Sequence, residues 1–115
     1  MWAWILLDEA YLAQYHAAMD QLLVENFASG KLLGRIDSLY EMLLPYVETD
    51  PTAFYSADQY REAVQTLRAM LELRAASIRL QLDGKLSAIT DEQDADARVS
   101  AEGLDVRVMG EAPWQ

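Results

Sequence analysis

The chain has 115 residues, and its nineteen acidic against nine basic side chains leave a net charge of −10, which repels phosphate backbones and anionic lipid surfaces and argues against nucleic-acid and membrane partners. This length allows one small domain; the 52% apolar content is too rich for a disordered protein, yet no run approaches the ~20 consecutive apolar residues of a membrane span. Without cysteine there is neither a disulfide framework nor a thiolate metal site, and no cofactor is expected.

The opening Met1-Trp2-Ala3-Trp4-Ile5-Leu6-Leu7 is apolar but lacks a basic leader, and Asp8-Glu9 cuts the run short. It reads as mature sequence rather than a secretory signal, so a cytoplasmic protein is expected. Large aromatic groups need something to pack on. Trp2, Trp4, Ile5 and Leu6 are therefore the candidate docking face for a partner protein.

From Asp8 onward Leu12, Tyr15, Met19, Leu22, Leu23 and Phe27 recur at steps of three and four, the spacing of one helical face. With Asp8 as N-cap and Gly30 as the left-handed stop, the first helix is predicted over residues 9–29. A loop from Lys31 to Gly34 follows. The second helix carries Ile36, Leu39, Tyr40, Leu43, Leu44 and Val47, and Pro45 should kink it or end it early, because proline offers no N–H to the carbonyl of Glu41. Asp50-Pro51 sets a firm boundary, and Phe54-Tyr55 is expected to clamp onto the next helix.

Ser56-Ala57-Asp58-Gln59 has the form of a capping box, with Tyr55 and Tyr60 placed for a hydrophobic staple. Val64, Leu67, Leu71, Ile78 and Leu82 then continue the stripe to Gly84, predicting a third helix long enough to cover both shorter ones. Short connections favour antiparallel neighbours, so the expected fold is all-α, an antiparallel three-helix bundle over residues 1–84 of marginal stability. Residues 85–115 lose helical periodicity and read as an acidic, largely irregular, flexible tail. Within the tail, Leu104 to Met109 alternates like a short strand but has no second strand to pair with.

Two phrases carry a family resemblance. Pro45-Tyr46-Val47-Glu48-Thr49-Asp50-Pro51-Thr52-Ala53-Phe54-Tyr55 and Leu73-Arg74-Ala75-Ala76-Ser77-Ile78, closing at Gln81-Leu82-Asp83-Gly84, are joined by weaker likeness at Leu6-Leu7, Tyr11 to His16 and Ile36-Asp37. Together they resemble the C-terminal helical region of the CotH family, the spore-coat kinase-like proteins. The resemblance covers about the first three quarters of the chain. It implies a setting in sporulation or the spore coat, and a parent fold that transfers phosphate from ATP. Such chemistry needs a cation on the nucleotide phosphates and acidic metal ligands. In the family these lie N-terminal to the matched region, so no catalytic residue is carried over and the chain is expected not to be an enzyme.

His16, the single histidine, lies beside the first apolar stripe with no orienting partner visible, so a packing or surface role is favoured over general-base chemistry. Arg74 and Ser77 are helical neighbours. An arginine clamp on a phosphate or a partner's carboxylate is one reading, and a structural ion pair of Arg74 with Asp50 or Glu48 is the favoured one. Asp91 to Asp96 lacks the glycine that a calcium loop needs at its sixth position and reads as solvated chain. Two functions follow: a non-catalytic docking or accessory module of a truncated or split kinase-like protein, partnered by the kinase-like core or a coat protein, or a small acidic structural protein that self-associates.

Overall fold

A computed structural model describes residues 8–104, and these form an all-α, three-helix bundle. Helix α1 spans Glu9–Leu22. The Asp8 carboxylate caps it by accepting the backbone N–H groups of Ala10 and Tyr11 at 2.9 and 3.3 Å, as the sequence predicts.

Beyond Leu22 the helix widens into a π-helical segment, Leu23–Ala28, where the sequence predicts a uniform α-helix. The N–H of Ser29 donates to the carbonyl of Val24 at 3.2 Å, one residue further back than in an α-helix. Two side chains bond back within this turn: the Asn26 amide donates to the Leu22 carbonyl at 3.1 Å and the Ser29 hydroxyl to that of Glu25 at 2.5 Å. Leu23, the first residue of this segment, turns inward and is 5% exposed.

Gly30 adopts φ 73° and stops the first helix, as predicted. The expected loop Lys31–Gly34 is instead the first turn of α2, which spans Lys31–Thr49. One left-handed residue redirects the chain, the Ser29 hydroxyl accepts the Lys31 N–H at 3.2 Å, and Gly34 bonds back to the Gly30 carbonyl at 2.9 Å, so no longer loop is required. Helix α2 runs through Pro45 to Thr49, whose hydroxyl donates to the Pro45 carbonyl at 2.9 Å.

Helix α3 spans Ala57–Leu82, and its capping box is complete. Ser56 Oγ accepts the Gln59 N–H at 3.2 Å, and the Gln59 side chain accepts the Ser56 N–H at 2.9 Å. At 26 residues α3 is about 39 Å long, and it serves as the common partner of the other two helices. Helix α2 packs on it as the antiparallel arm of a hairpin. The N-terminal arm reaches it too, with the π-helical segment rather than α1 making the contact to α2. Each arm is pinned by cross-helix ion pairs: Arg61 to Glu48 at 2.5 Å and Arg68 to Asp37 join α3 to α2, and Arg79 to Asp20 at 2.6 Å joins α3 to α1.

Gly84, at φ 69°, closes α3 in a Schellman motif. The Lys85 N–H donates to Leu80 at 2.8 Å and the Gly84 N–H to Gln81 at 3.0 Å. The following segment is irregular apart from two 3₁₀ turns, Thr90–Glu92 and Ala95–Ala97, yet it is bonded to itself. The Arg98 guanidinium donates to the carbonyls of Thr90 and Gln93, both at 3.0 Å, and the Gln93 amide to that of Ser87 at 2.7 Å. Leu86, beyond the expected boundary at residue 84, is 6% exposed and belongs to the core. The alternating segment 105–109 lies outside the described residues.

That core is very small. Among the described residues only Leu23, Leu86 and Thr66 are buried, and every other apolar side chain is at least partly open to solvent. A bundle so thinly packed depends on its caps and cross-helix pairs more than a larger domain does.

Candidate functional site

Helix α2 is apolar on two sides, and among the described residues only one of them is packed. Ile36, Tyr40, Leu44 and Val47 are half-buried toward α3. At 100° per residue, Leu39, Met42, Leu43 and Tyr46 fall on a second stripe about a third of a turn away, and all four are exposed, Tyr46 at 70%. The sequence pattern groups Leu39 and Leu43 with the inward face. Their positions at the edge of the broad stripe leave them beyond the reach of α3.

The turn after α2 carries a further exposed aromatic. Phe54 is 97% exposed, so it does not clamp onto the next helix as expected. Tyr60 instead stacks on Tyr40, with ring centroids 5.6 Å apart, while Tyr55 and Tyr60 line a shared cleft with Val47. Isolated exposed apolar residues are ordinary, whereas a run along one helix marks a surface of interaction.

A second feature sits at the other end of α3. Leu12, Tyr15, His16 and Met19 of α1 face Arg74 and Ile78 of α3 across a cleft of 640 Å³. Ala88 and Ile89 of the segment after α3 contribute to its wall. His16 is exposed at the rim of the cleft, its ring tilted against that of Tyr15 with centroids 6.1 Å apart.

The expected ion pair between Arg74 and Asp50 does not form, nor does the pair with Glu48. The hairpin register explains why: Glu48 lies opposite Arg61 and Asp37 opposite Arg68, so Arg74, further along α3, is well past the end of α2 that carries Asp50. Asp50 caps its own turn, accepting the Thr52 N–H at 2.8 Å and the Thr52 hydroxyl at 2.7 Å. Those bonds, the hydroxyl's first, hold its carboxyl below the usual aspartate range. Arg61 does what Arg74 was expected to do. It bridges Glu48 and Asp58, and its guanidinium is held protonated above its ordinary range, chiefly by Asp58.

Trp2, Trp4, Ile5 and Leu6, the sequence-derived docking face, lie outside the described residues. The α2 stripe was partly visible in sequence as an unusually wide apolar pattern. The α1–α3 cleft was not, because its wall includes Ala88 and Ile89 from a segment without periodicity. Asp94 in the acidic run accepts the N–H of Asp96 at 3.0 Å, a local turn bond. No helix among the described residues is long and apolar enough to cross a membrane.

These features define a small all-helical module that carries an exposed apolar stripe on α2 among the described residues. The sequence matches the family described as CotH kinase protein over residues 1–78, and the chain belongs to that family. The match takes in α1, α2 and most of α3, and so contains both the exposed stripe and Arg74. Comparison with curated proteins and with solved structures gave no match.

Proposed function

We propose that this chain is a non-catalytic helical module of the CotH family that docks on a kinase-like core or on a coat protein, as a part of a truncated or split protein. The observation that carries this reading is the second apolar stripe of α2, Leu39, Met42, Leu43 and Tyr46, exposed on a module whose own core holds only three buried residues among those described. Burial of apolar surface is worth roughly 25 cal/mol per Å², so a partner covering this stripe stabilises both the complex and the module.

Family membership supports a kinase-like core as that partner. In such enzymes, phosphoryl transfer depends on metal ions and phosphate-binding cations preorganised around the γ-phosphate, and this reading assigns those groups to the partner. The resemblance to spore-coat proteins supports the spore coat as the setting of this reading.

The test is co-purification with the kinase-like region, expressed separately from the reading frame immediately upstream or from another CotH-family protein. Stable capture, and no ATP binding by this chain alone in a magnesium-ATP titration, is the expected outcome. ATP binding or phosphoryl transfer by the isolated chain overturns it. The same exposed stripe also favours a second reading, self-association as a small acidic structural protein, for which light scattering should reveal a concentration-dependent dimer.

A further inference from the structure

Five arginines sit on α3 or in the described segment after it, and four have found partners inside the described chain. Arg61, Arg68 and Arg79 each hold a carboxylate, and Arg98 holds two backbone carbonyls. Arg74 is different. It lines the 640 Å³ cleft between α1 and α3, and none of the described carboxylates pairs with it.

The rest of the cleft wall is mostly apolar, with Leu12, Met19 and Ile78 from the two helices and Ile89 from the segment beyond. His16 adds a ring N–H in either tautomer. A volume of this order suits a group larger than one small anion. An arginine fork set beside an apolar wall matches a ligand that carries a carboxylate next to a bulky apolar group.

The charge of the whole molecule narrows the ligand class. With a net charge of −10 the chain gives a free anion no long-range attraction, so the hold must come from short-range packing in addition to Arg74. An inorganic anion lacks that packing. A polypeptide segment supplies it.

We propose that the cleft is a recognition pocket for an acidic-apolar segment of a partner protein, with an Asp or Glu carboxylate seated on Arg74 and the neighbouring apolar side chain between Leu12, Met19 and Ile78. The proposal rests on the docking role above and names the chemistry of the partner at this second site.

Two synthetic heptapeptides test it: acetyl-Gly-Ser-Leu-Asp-Phe-Gly-Ser-amide and its twin with asparagine for aspartate, titrated into the full chain with nuclear magnetic resonance detection. The aspartate peptide should shift the Arg74 side-chain Nε, the His16 ring and the Met19 methyl group, and bind about tenfold more tightly than the twin, a ratio expected for one charge-assisted pair. Arg74→Gln, at an exposed position, should bring the ratio to about one while leaving the helical circular dichroism unchanged. Equal affinity for the two peptides, shifts confined to other surfaces, no binding at millimolar peptide, or the same shifts with inorganic phosphate would each overturn the pocket. Since the assay contains no kinase-like region, capture of that region without peptide discrimination sinks the pocket alone. Peptide discrimination without capture sinks the docking role alone.

Discussion

Tyr40 of α2 and Tyr60 of α3 stack with ring centroids 5.6 Å apart and planes inclined by 19°, an aromatic contact between the two arms of the hairpin. The pairs Arg61–Glu48 and Arg68–Asp37 join the same two helices in antiparallel order. Replacing Tyr40 by leucine keeps apolar volume but removes the stack, and should cost about 0.5–1.5 kcal/mol in urea unfolding. An unchanged midpoint would mean that the stack adds nothing to stability.

Helix ends matter more in a module with so few buried side chains. Ser56→Ala removes one half of the capping box and should destabilise the chain by about 1 kcal/mol. Gly84→Ala places a Cβ at φ 69°, where no neighbour crowds it but the backbone conformation disfavours any L side chain, and should cost a further ~1 kcal/mol. Thermal melts of the two single variants and the double variant check both values, and near-additivity is expected because the sites lie at opposite ends of α3.

Leu23→Ala and Leu86→Ala remove the two apolar side chains buried among the described residues, and each should cost roughly 2–3 kcal/mol, the lower part of the range for such truncations. A small effect of Leu86→Ala would detach the segment after Gly84 from the core.

The carboxylate of Asp50 gives a pH dependence of defined sign. Its folded value lies below the ordinary aspartate value of about 3.9, so between the two values the unfolded chain binds more protons than the folded one. Its contribution to stability is complete above the ordinary value and is lost as the pH falls through the folded one. A carboxyl titration followed by nuclear magnetic resonance should show a midpoint below the ordinary value, and Thr52→Val, which removes the hydroxyl donor, should raise it. An unmoved midpoint in that variant would assign the shift to the backbone N–H alone.

Much of the fold was legible in the sequence. The Asp8 and Ser56 caps, the stops at Gly30 and Gly84, and the three helices all follow from local chemistry that a sequence displays directly. Three things were not. The π-helical segment at Leu23 leaves no periodic signature, because its side chains continue the apolar spacing of an ordinary helix. The Arg74–Asp50 pair was inferred without the hairpin register, which assigns Arg61 to that end of α2. The site was legible only in outline: an over-wide apolar pattern on α2 is visible, but which half of it faces outward depends on where α3 lies. The family match over residues 1–78 agrees with the resemblance carried by the Pro45–Tyr55 and Leu73–Ile78 phrases.

The exposed stripe should separate binding from stability. Met42→Ser and Tyr46→Ser lie on the bare side of α2 and should change unfolding free energy by no more than about 0.5 kcal/mol. The same variants should reduce the fluorescence of a hydrophobic dye bound to the folded protein. If the dye ignores the parent chain, the stripe is not an accessible apolar surface.

The most direct measurement is a calorimetric titration of the separately expressed kinase-like region with this chain and with its Leu43→Glu variant, which sets a charge in the middle of the stripe. Saturable one-to-one binding by the parent chain, weakened at least about tenfold in the variant, is the result a docking module predicts. No binding by the parent chain, or equal affinity for the variant, would contradict it.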